Sequence, residues 1–426
     1  MNLCLRAWIV RTCVAILVLL VAFAAQADEA LERAKRVLDR SILFDGHNDL
    51  PNAIHDYKEA PGDIAAYDLR GRAPADGQTD IPRLREGRVG AQFWSVYIPP
   101  EAGHGFSRRQ LEQIDLARRV IARYPDTFEL AGTAAEIRAA KQAGRIGSML
   151  GIEGGHAIED SLGVLRAYYD LGVRYMTLTH NVHTNWADSA MDMPPKHGGL
   201  TDFGEDVVRE MNRLGMLIDL SHTAPETMHD ALRVSEAPVI FSHSSARALC
   251  EIPRNVPDDV IAKLPANGGV LMVTFVSGFV SQAAADVTLP ATQEYLARSK
   301  GKSDAERNAI YEEILARIKM PSVTVAAVAD HIEHIRKVAS VDNIGIGSDF
   351  DGNTHWPEGL SDVSMFPNLF AELIRRGWSD QDLGKLAGGN VLRALEQAEA
   401  VARRLQRDVP LAVTKVTRPA ASGGSK

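Results

Sequence analysis

The sequence predicts a closed (β/α)8 barrel, an α/β fold in which helices surround eight parallel strands. Short apolar, β-branched runs alternate with longer segments of helical period, which is typical of a parallel sheet covered on both faces. Eight such runs are present, the number of strands in a barrel of this kind. Five of them end in histidine, aspartate or glutamate. A closed barrel brings those ends to one rim, whereas a doubly wound open sheet, the competing arrangement, would spread them along an edge.

The predicted elements follow in chain order. Strands are expected at residues 42–45, 89–98, 148–152, 174–179, 217–220, 238–241, 269–275 and 343–347. The 3.6-residue period of amphipathic helices covers residues 107–123, 161–171, 203–214, 225–233, 304–318 and 323–338. Because α/β barrels commonly run past about 250 residues as one unit, residues 28–410 are expected to form a single domain.

Two long segments fall outside this alternation. Residues 52–80 are rich in glycine, proline and aspartate and are expected to form a loop after the first strand. Residues 277–320 follow the seventh strand and contain one helical stretch around residues 304–318. In a barrel both segments would overhang the rim where the strands end, which is the usual place for lids and specificity elements.

The first 27 residues have the pattern of a secretory signal peptide. Arg6 and Arg11 precede and flank an apolar run over residues 13–25, and Ala-Gln-Ala at residues 25–27 is a small-residue cleavage site. The run is short for a bilayer core of ~30 Å, which needs about 20 residues, so we expect cleavage and export, in a bacterium to the periplasm. Residues 411–426 are expected to be a flexible tail without a membrane anchor.

Charge and cysteine content argue against two classes of protein. The formal charge is −8 for the full chain and −10 without the signal peptide. An acidic chain without a basic stripe is not expected to bind nucleic acid. The mature chain keeps only Cys250, so it cannot be a disulfide scaffold, and this thiol is expected to be a small buried apolar group.

Ligand-type side chains follow five of the predicted strands. They are His47 and Asp49 after the first strand, Glu153 after the third, His222 after the fifth, His243 after the sixth, and Asp349 and Asp351 after the eighth. Imidazole and carboxylate groups without thiolates suit a borderline metal such as zinc. Positions i and i+2 of an extended segment face the same side, so His47 and Asp49 can reach one ion.

Glu153 and the two aspartates after the last strand allow a narrower expectation. Glu153 ends an apolar run, where a buried unpaired carboxylate would be costly, so a metal is its natural partner. Asp349 and Asp351 lie on the same side of an extended chain, and periodicity does not choose between them. The position at the strand end favours Asp349, which leaves Asp351 to a loop or to the surroundings of the site.

Six segments resemble the membrane dipeptidase family, also known as renal dipeptidase or peptidase family M19. They are DGHNDLP (45–51), GIEGGHAIED (151–160), MTLTHNVHTNWAD (176–188), LIDLSH (217–222), APVIFSHSSARALCEIPRNVPDD (237–259) and GIGSDFDG (345–352). The resemblance is collinear from about residue 43 to residue 395. It implies a barrel of the metal-dependent hydrolase type and an exported zinc dipeptidase.

The resemblance also implies a role for each residue that matches a motif. His47 and Asp49 would bind one zinc ion, His222 and His243 a second, and Glu153 would bridge both, together with the hydroxide that attacks the peptide bond. His180 would face the substrate carbonyl, Arg254 would bind the C-terminal carboxylate, and Asp349 would hold the amino end and transfer protons. Dipeptides with free ends would be the substrates, and a D-residue would be tolerated at the C-terminal position.

Three expectations of the resemblance stay open. Another reaction of a two-metal amidohydrolase, on a β-lactam, a lactone or an N-acyl amino acid, is the alternative activity, and a non-catalytic peptide-binding protein is the alternative class. The segment 277–321 looks longer than in animal members and is expected to form a lid or a contact in a homodimer. Five further residues are expected to line the pocket or orient ligands: His156, His183, Asn185, Trp186 and Asp188.

Overall fold

The computed structural model of the protein describes residues 29–74, 77–103 and 105–408. Within these residues one parallel sheet contains β1 (Leu43–Asn48), β2 (Val89–Ser95), β3 (Phe128–Leu130), β4 (Ile146–Glu153), β5 (Val173–Thr177), β6 (Leu217–Asp219), β7 (Val239–Ser244), β8 (Val270–Val273) and β9 (Ile344–Ile346). The strand order is β2-β1-β9-β8-β7-β6-β5-β4, and a pairing of β2 with β4 closes the ring. The predicted eight-stranded parallel barrel is therefore confirmed.

All eight predicted strands belong to the closed ring, with ends displaced by at most three residues. The ninth strand, β3, was not predicted. It pairs only with β4, outside the ring, and of its three residues only Phe128 is buried. So short a segment with one buried side chain carries no apolar run that a sequence pattern could reveal.

Helices follow and cover the strands. Residues 29–40 form α1, and the further α-helices are α2 (Leu50–His55), α3 (Ile81–Glu86), α4 (Phe106–Arg123), α5 (Ala134–Gln142), α6 (Leu162–Asp170), α7 (Asp202–Leu214), α8 (Pro225–Val234), α9 (Asp258–Ile261), α10 (Leu264–Asn267), α11 (Ser277–Val280), α12 (Gln282–Ser299), α13 (Asp304–Leu315), α14 (Val325–Val338), α15 (Phe366–Arg375), α16 (Asp380–Gly384) and α17 (Asn390–Asp408). Side-chain caps begin several of them, for example Thr133 before α5 and Ser303 before α13. None of the described helices is long and apolar enough to span a membrane.

Both segments that fall outside the predicted alternation contain helices. Residues 52–80 begin inside the short helix α2, and residues 277–320 contain α11 and α12 as well as the predicted α13. Helix α12 buries only Ala284, Ala285 and Ser299 and contains Pro290. Because so few of its residues face the core, α12 has no apolar stripe and was not predicted, whereas the helical stretch expected around residues 304–318 is present as α13.

Aromatic side chains fill the inside of the barrel below the rim. Phe93 on β2 and Tyr175 on β5 belong to strands that are not adjacent, yet their ring centroids are 4.9 Å apart. Phe44 on β1 stacks on Phe93 at 5.0 Å. These rings form a floor, and the Tyr175 hydroxyl at its top reaches His47. The residues expected at the strand ends therefore stand on a packed base.

The predicted signal peptide (1–27) and tail (411–426) lie outside the described residues, so both stay predictions.

Candidate active site and metal centre

The carboxyl ends of five barrel strands bring the predicted ligands together. His47 and His243 lie in β1 and β7, Glu153 ends β4, and His222 and Asp349 each follow a strand by three residues. Three overlapping groups could each hold a metal ion, because their candidate ligand atoms lie within 4.8 Å of one another. These groups are His47, Asp49 and Glu153; Glu153, His180 and His222; and His47, His243 and Asp349.

The two carboxylate oxygens of Glu153 face different partners. Oε1 lies 2.9 Å from His222 Nε2 and 3.3 Å from His243 Nε2. Oε2 lies 3.6 Å from His47 Nε2, which is in turn 3.2 Å from Asp49 Oδ2. All five side chains are buried. Glu153 therefore stands between two sets of candidate ligand atoms.

Each of the three imidazoles is held by its Nδ1 atom. His47 Nδ1 is 2.8 Å from the Tyr175 hydroxyl, and His222 Nδ1 is 2.9 Å from Asn181 Oδ1. His243 Nδ1 is 2.9 Å from the Ser242 hydroxyl. A ring whose Nδ1–H donates outward presents the Nε2 lone pair inward, which is the form that binds a metal.

A buried carboxylate fixes the His243 tautomer through a serine. Asp219 is fully buried and accepts the Ser242 hydroxyl at 2.6 Å and the Ser242 backbone N–H at 2.8 Å. Since the Ser242 hydroxyl gives its one hydrogen to Asp219, it can only accept from His243 Nδ1. Asp219 also accepts from Thr177 and from the Ser221 backbone. This chain of polar groups ties β6 to β7 beneath the site.

The orienting residues were not identified from the sequence. Asn181 and Ser242 are neighbours of predicted site residues along the chain, but nothing in their spacing tells which ring nitrogen they contact. Tyr175 lies 128 residues from His47, and only the closed barrel brings the two together.

The free nitrogen of His47 fits a cation. Within the described part of the chain, His47 Nε2 is buried and has no hydrogen-bond partner. Buried polar atoms are nearly always paired, so this atom facing Asp49 and Glu153 is suitably placed to coordinate a metal ion. Asp49 begins α2 without a side-chain cap, which removes its simplest structural role.

Burial sets the charge state of the two imidazoles nearest Glu153 Oε1. It lowers the pKa of His222 and of His243 well below the ordinary value, and the positive charge of Arg254 adds to the effect on both. Neutral imidazoles are the form that coordinates metal. Burial raises the pKa of Asp349 well above its usual value, with the negative charges of Asp49 and Glu153 in the same direction. Bound cations would oppose that shift.

The contacts of Asp349 and Asp351 show that only Asp349 lies within the cluster. Asp349 Oδ1 lies 4.0 Å from His47 Nε2, inside the cluster. Asp351 Oδ1 instead accepts the backbone N–H of Gln78 at 2.7 Å and fastens that loop to the end of β9.

His222 and Asp349 both have a left-handed backbone, with φ of 67° and 68°. Such conformations cost energy in non-glycine residues and concentrate at functional sites.

His180 and Arg254 border the cluster. His180 Nε2 is 3.7 Å from Glu153 Oε1, and its ring lies 4.3 Å from that of His222. Arg254 is buried beside Phe279, with its guanidinium 5.0 Å from the ring centroid. In the part of the chain that the structure describes, Arg254 Nε and Nη1 have no hydrogen-bond partner. Two unsatisfied donors on a buried guanidinium fit an anionic ligand.

Four of the five residues expected to line the pocket or orient ligands make hydrogen bonds to loop residues. Asn185 is exposed and donates to Asp160, and the Asp188 carboxylate accepts backbone N–H groups of residues 196–199. His156 hydrogen-bonds the Ile98 carbonyl, His183 accepts from the Ser189 backbone, and Trp186 is buried. No hydrogen bond between these five and a predicted metal ligand is found within the described residues. That these five residues line the pocket or orient ligands stays a prediction.

Comparison with known proteins identifies the family. Residues 31–409 match the membrane dipeptidase family, peptidase family M19. The chain belongs to this family. It is accordingly a dipeptidase of the metallopeptidase type, and the predicted family and enzyme class are confirmed.

Relatives of this M19 dipeptidase cover nearly its whole length. Dipeptidase verJ of Clonostachys rogersoniana is 40% identical over 398 residues, which is 91% of this chain and 92% of the relative. The probable dipeptidase PvdM of Pseudomonas aeruginosa has the same fold, with a TM-score of 0.76 at 24% identity over 88% of this chain and 100% of that one. A metallopeptidase of Rhodobacter sphaeroides, solved with a phosphinate mimic of L-Ala-D-Ala, has a TM-score of 0.68 at 23% identity over 84% of this chain and 99% of that one.

Proposed function

We propose that this M19 dipeptidase binds two zinc ions and hydrolyses dipeptides whose two ends are free. His47 and Asp49 would hold one ion, His222 and His243 the other, and Glu153 would contact both. The observation that carries the proposal is the division of the Glu153 oxygens, one towards His222 and His243 and the other towards His47. When bound, the ion pair supplies Lewis acidity and an activated water as nucleophile.

Arg254 is proposed to select for a free C-terminus. Its buried guanidinium keeps two donors without partners in the described chain, and the planar fork of arginine matches a carboxylate in two parallel hydrogen bonds. A neutral amide at that end of the substrate would leave the guanidinium charge buried and unpaired. The expected consequence is strong discrimination against amidated peptides.

His180 and Asp349 are proposed to act on the scissile bond from opposite sides of the cluster. His180 Nε2 lies next to Glu153 Oε1 and would donate to the carbonyl oxygen as negative charge develops there, an effect of about 3 kcal/mol for a well-placed donor. Asp349 lies beside His47 and would accept the proton of the nucleophile and pass it to the leaving amine. Glu153 would hold the two ions between His180 and Asp349.

Tolerance of a D-residue at the C-terminal position is part of the proposal. It is supported by the Rhodobacter sphaeroides relative, which was solved with a mimic of L-Ala-D-Ala. Export to the periplasm, cleavage of the signal peptide, a homodimeric state and the absence of nucleic-acid binding are proposed on the sequence features described above.

Metal content and substrate-end requirements test the proposal together. Purified protein should contain two zinc ions per chain and cleave dipeptides, with activity lost when either end is acetylated or amidated. Glu153→Ala and His222→Ala should each abolish hydrolysis and leave one ion or fewer, because each removes a shared or paired ligand. His229→Ala, a histidine paired with Asp259 on the surface, is the matched control. Cleavage of blocked peptides, or of lactones or β-lactams in their place, would show the alternative activity, and peptide binding without turnover would show a receptor.

A further inference from the structure

A second buried polar group without a partner within the described residues lies on the short 3-10 helix Pro100–Ala102 that follows β2, four residues after Tyr97. Glu101 is only 6% exposed, and its Oε2 atom is buried without a hydrogen-bond partner in the described chain. No ion pair joins it to a basic side chain among the residues that the structure describes. A buried carboxylate of this kind is unfavourable unless a cation reaches it.

The surroundings place Glu101 at the edge of the active site. Tyr97 packs on His180 with ring centroids 4.9 Å apart. Burial, with the negative charges of Glu101 and Glu153 as further causes, raises the pKa of Tyr97 well above its usual value. The charge of Glu101 also acts on His180 itself. Glu101 therefore lies in the same short segment as Tyr97, whose ring packs against His180 of the active site.

The insertion between β8 and β9 covers this region. The Gly301 backbone N–H donates to the Glu101 carbonyl at 3.2 Å. Tyr295 of α12 is close enough for the charge of Glu101 to raise its pKa, after the larger effect of burial, and its ring contacts that of Tyr311 at 5.9 Å. The insertion thus contacts the segment that carries Glu101 and contributes a pair of packed tyrosines to this region.

A basic side chain of the insertion, Arg307, is paired with groups other than Glu101. Arg307 of α13 affects the pKa of both Tyr97 and Tyr295. Its guanidinium, however, donates to the Lys302 carbonyl at 2.7 Å and pairs with Asp304. Arg307 is therefore held away from direct pairing with Glu101.

We infer that Glu101, Tyr97 and Tyr295 form a subsite for a cationic side chain on the N-terminal residue of the dipeptide, a lysine- or arginine-like group. The inference rests on the proposed function, in which Asp349 takes the amino group, Arg254 the carboxylate and His180 the scissile carbonyl. That carbonyl belongs to the N-terminal residue, so its side chain is the one that reaches the neighbours of His180. The flanking tyrosine faces suit an ammonium or guanidinium group, and the Glu101 carboxylate neutralises it.

A pair of substrates that differ by one charge tests the subsite. Lysyl-alanine should be cleaved with a kcat/KM roughly tenfold or more above that of norleucyl-alanine, which has the lysine chain without its ammonium group, because a buried charged hydrogen bond contributes a factor of this size. Glutamyl-alanine should be the poorest of the three. Glu101→Gln should bring the lysyl-to-norleucyl ratio close to one. Glu86→Gln, the same change at an exposed position of α3, should keep the wild-type ratio of lysyl- to norleucyl-alanine cleavage.

The outcomes separate the subsite from the proposed function. Equal kcat/KM for lysyl- and norleucyl-alanine in the unaltered enzyme overturns the subsite and leaves dipeptide hydrolysis intact. A Glu101→Gln enzyme that loses activity on both substrates equally also overturns it, since the carboxylate would then serve a group common to all dipeptides. If the zinc-loaded enzyme cleaves no dipeptide at all, the proposed function fails, and the subsite fails with it.

Discussion

At the scale of single residues, the site depends on groups that hold the ligands as much as on the ligands themselves. The three histidines bond through Nδ1 to Tyr175, Asn181 and Ser242. Such partners fix the tautomer and the ring orientation, and losing one typically lowers metal affinity 10- to 100-fold. The arrangement of Asp219, Ser242 and His243 allows the sharpest test, because a serine hydroxyl can be removed with little change in volume.

Ser242→Ala should weaken zinc binding by about 10- to 100-fold. His243 would lose the acceptor that keeps its proton on Nδ1, and Asp219 would lose one of its donors. Competition with a chromophoric chelator measures the affinity directly.

Ser245→Ala is the matched control for Ser242→Ala. The Ser245 hydroxyl is buried and has no hydrogen-bond partner within the described residues, so zinc affinity should not change. Equal zinc affinity in both variants would contradict the role given to Ser242.

At the scale of elements, the first and last barrel strands hold the site between their ends. The loops that follow β1 and β9 exchange backbone hydrogen bonds, from Asp49 N–H to the Phe350 carbonyl at 2.8 Å and from Asp349 N–H to the His47 carbonyl at 3.0 Å. Gly352 lies where they meet, and a Cβ atom added there would collide with the carboxylates of Asp49 and Asp349. The missing side chain leaves space for both acids.

Gly352→Ala should therefore lower kcat/KM by about 100-fold, since displacements of about 1 Å in catalytic groups have effects of this size. Steady-state kinetics on a dipeptide, with zinc content measured alongside, checks the prediction. Gly71→Ala is a suitable control, because nothing lies within 4 Å of a Cβ atom added there. Wild-type kinetics in Gly352→Ala would mean that the two acids do not need their present positions.

The elements also show where prediction from sequence succeeds. Barrel strands are buried on both faces and read as apolar runs, so all eight were found. Helix α12 was missed because it packs on the rim with few buried residues, and β3 because it is three residues long. Residues that act across the barrel, such as Tyr175 towards His47, cannot be predicted from local pattern at all.

At the scale of the whole molecule, closure of the barrel makes the site. Glu153 and His243 lie 90 positions apart in the sequence, yet Glu153 Oε1 is 3.3 Å from His243 Nε2. The coincidence of ligand-type residues at several strand ends could be seen in the sequence and predicted the cluster. The subsite at Glu101 could not be predicted from the sequence. Glu101 follows two prolines in a short segment after β2, and its burial without a partner among the described residues is visible only in the structure, where the insertion covers it.

If Glu153 lies between two zinc ions, anomalous diffraction at the zinc edge from crystals of the zinc-loaded protein will show both. We expect two peaks per chain, one near His47 and Asp49 and one near His222 and His243, with a Glu153 oxygen beside each. A single peak at full zinc loading, or two peaks of which Glu153 touches only one, would contradict this arrangement.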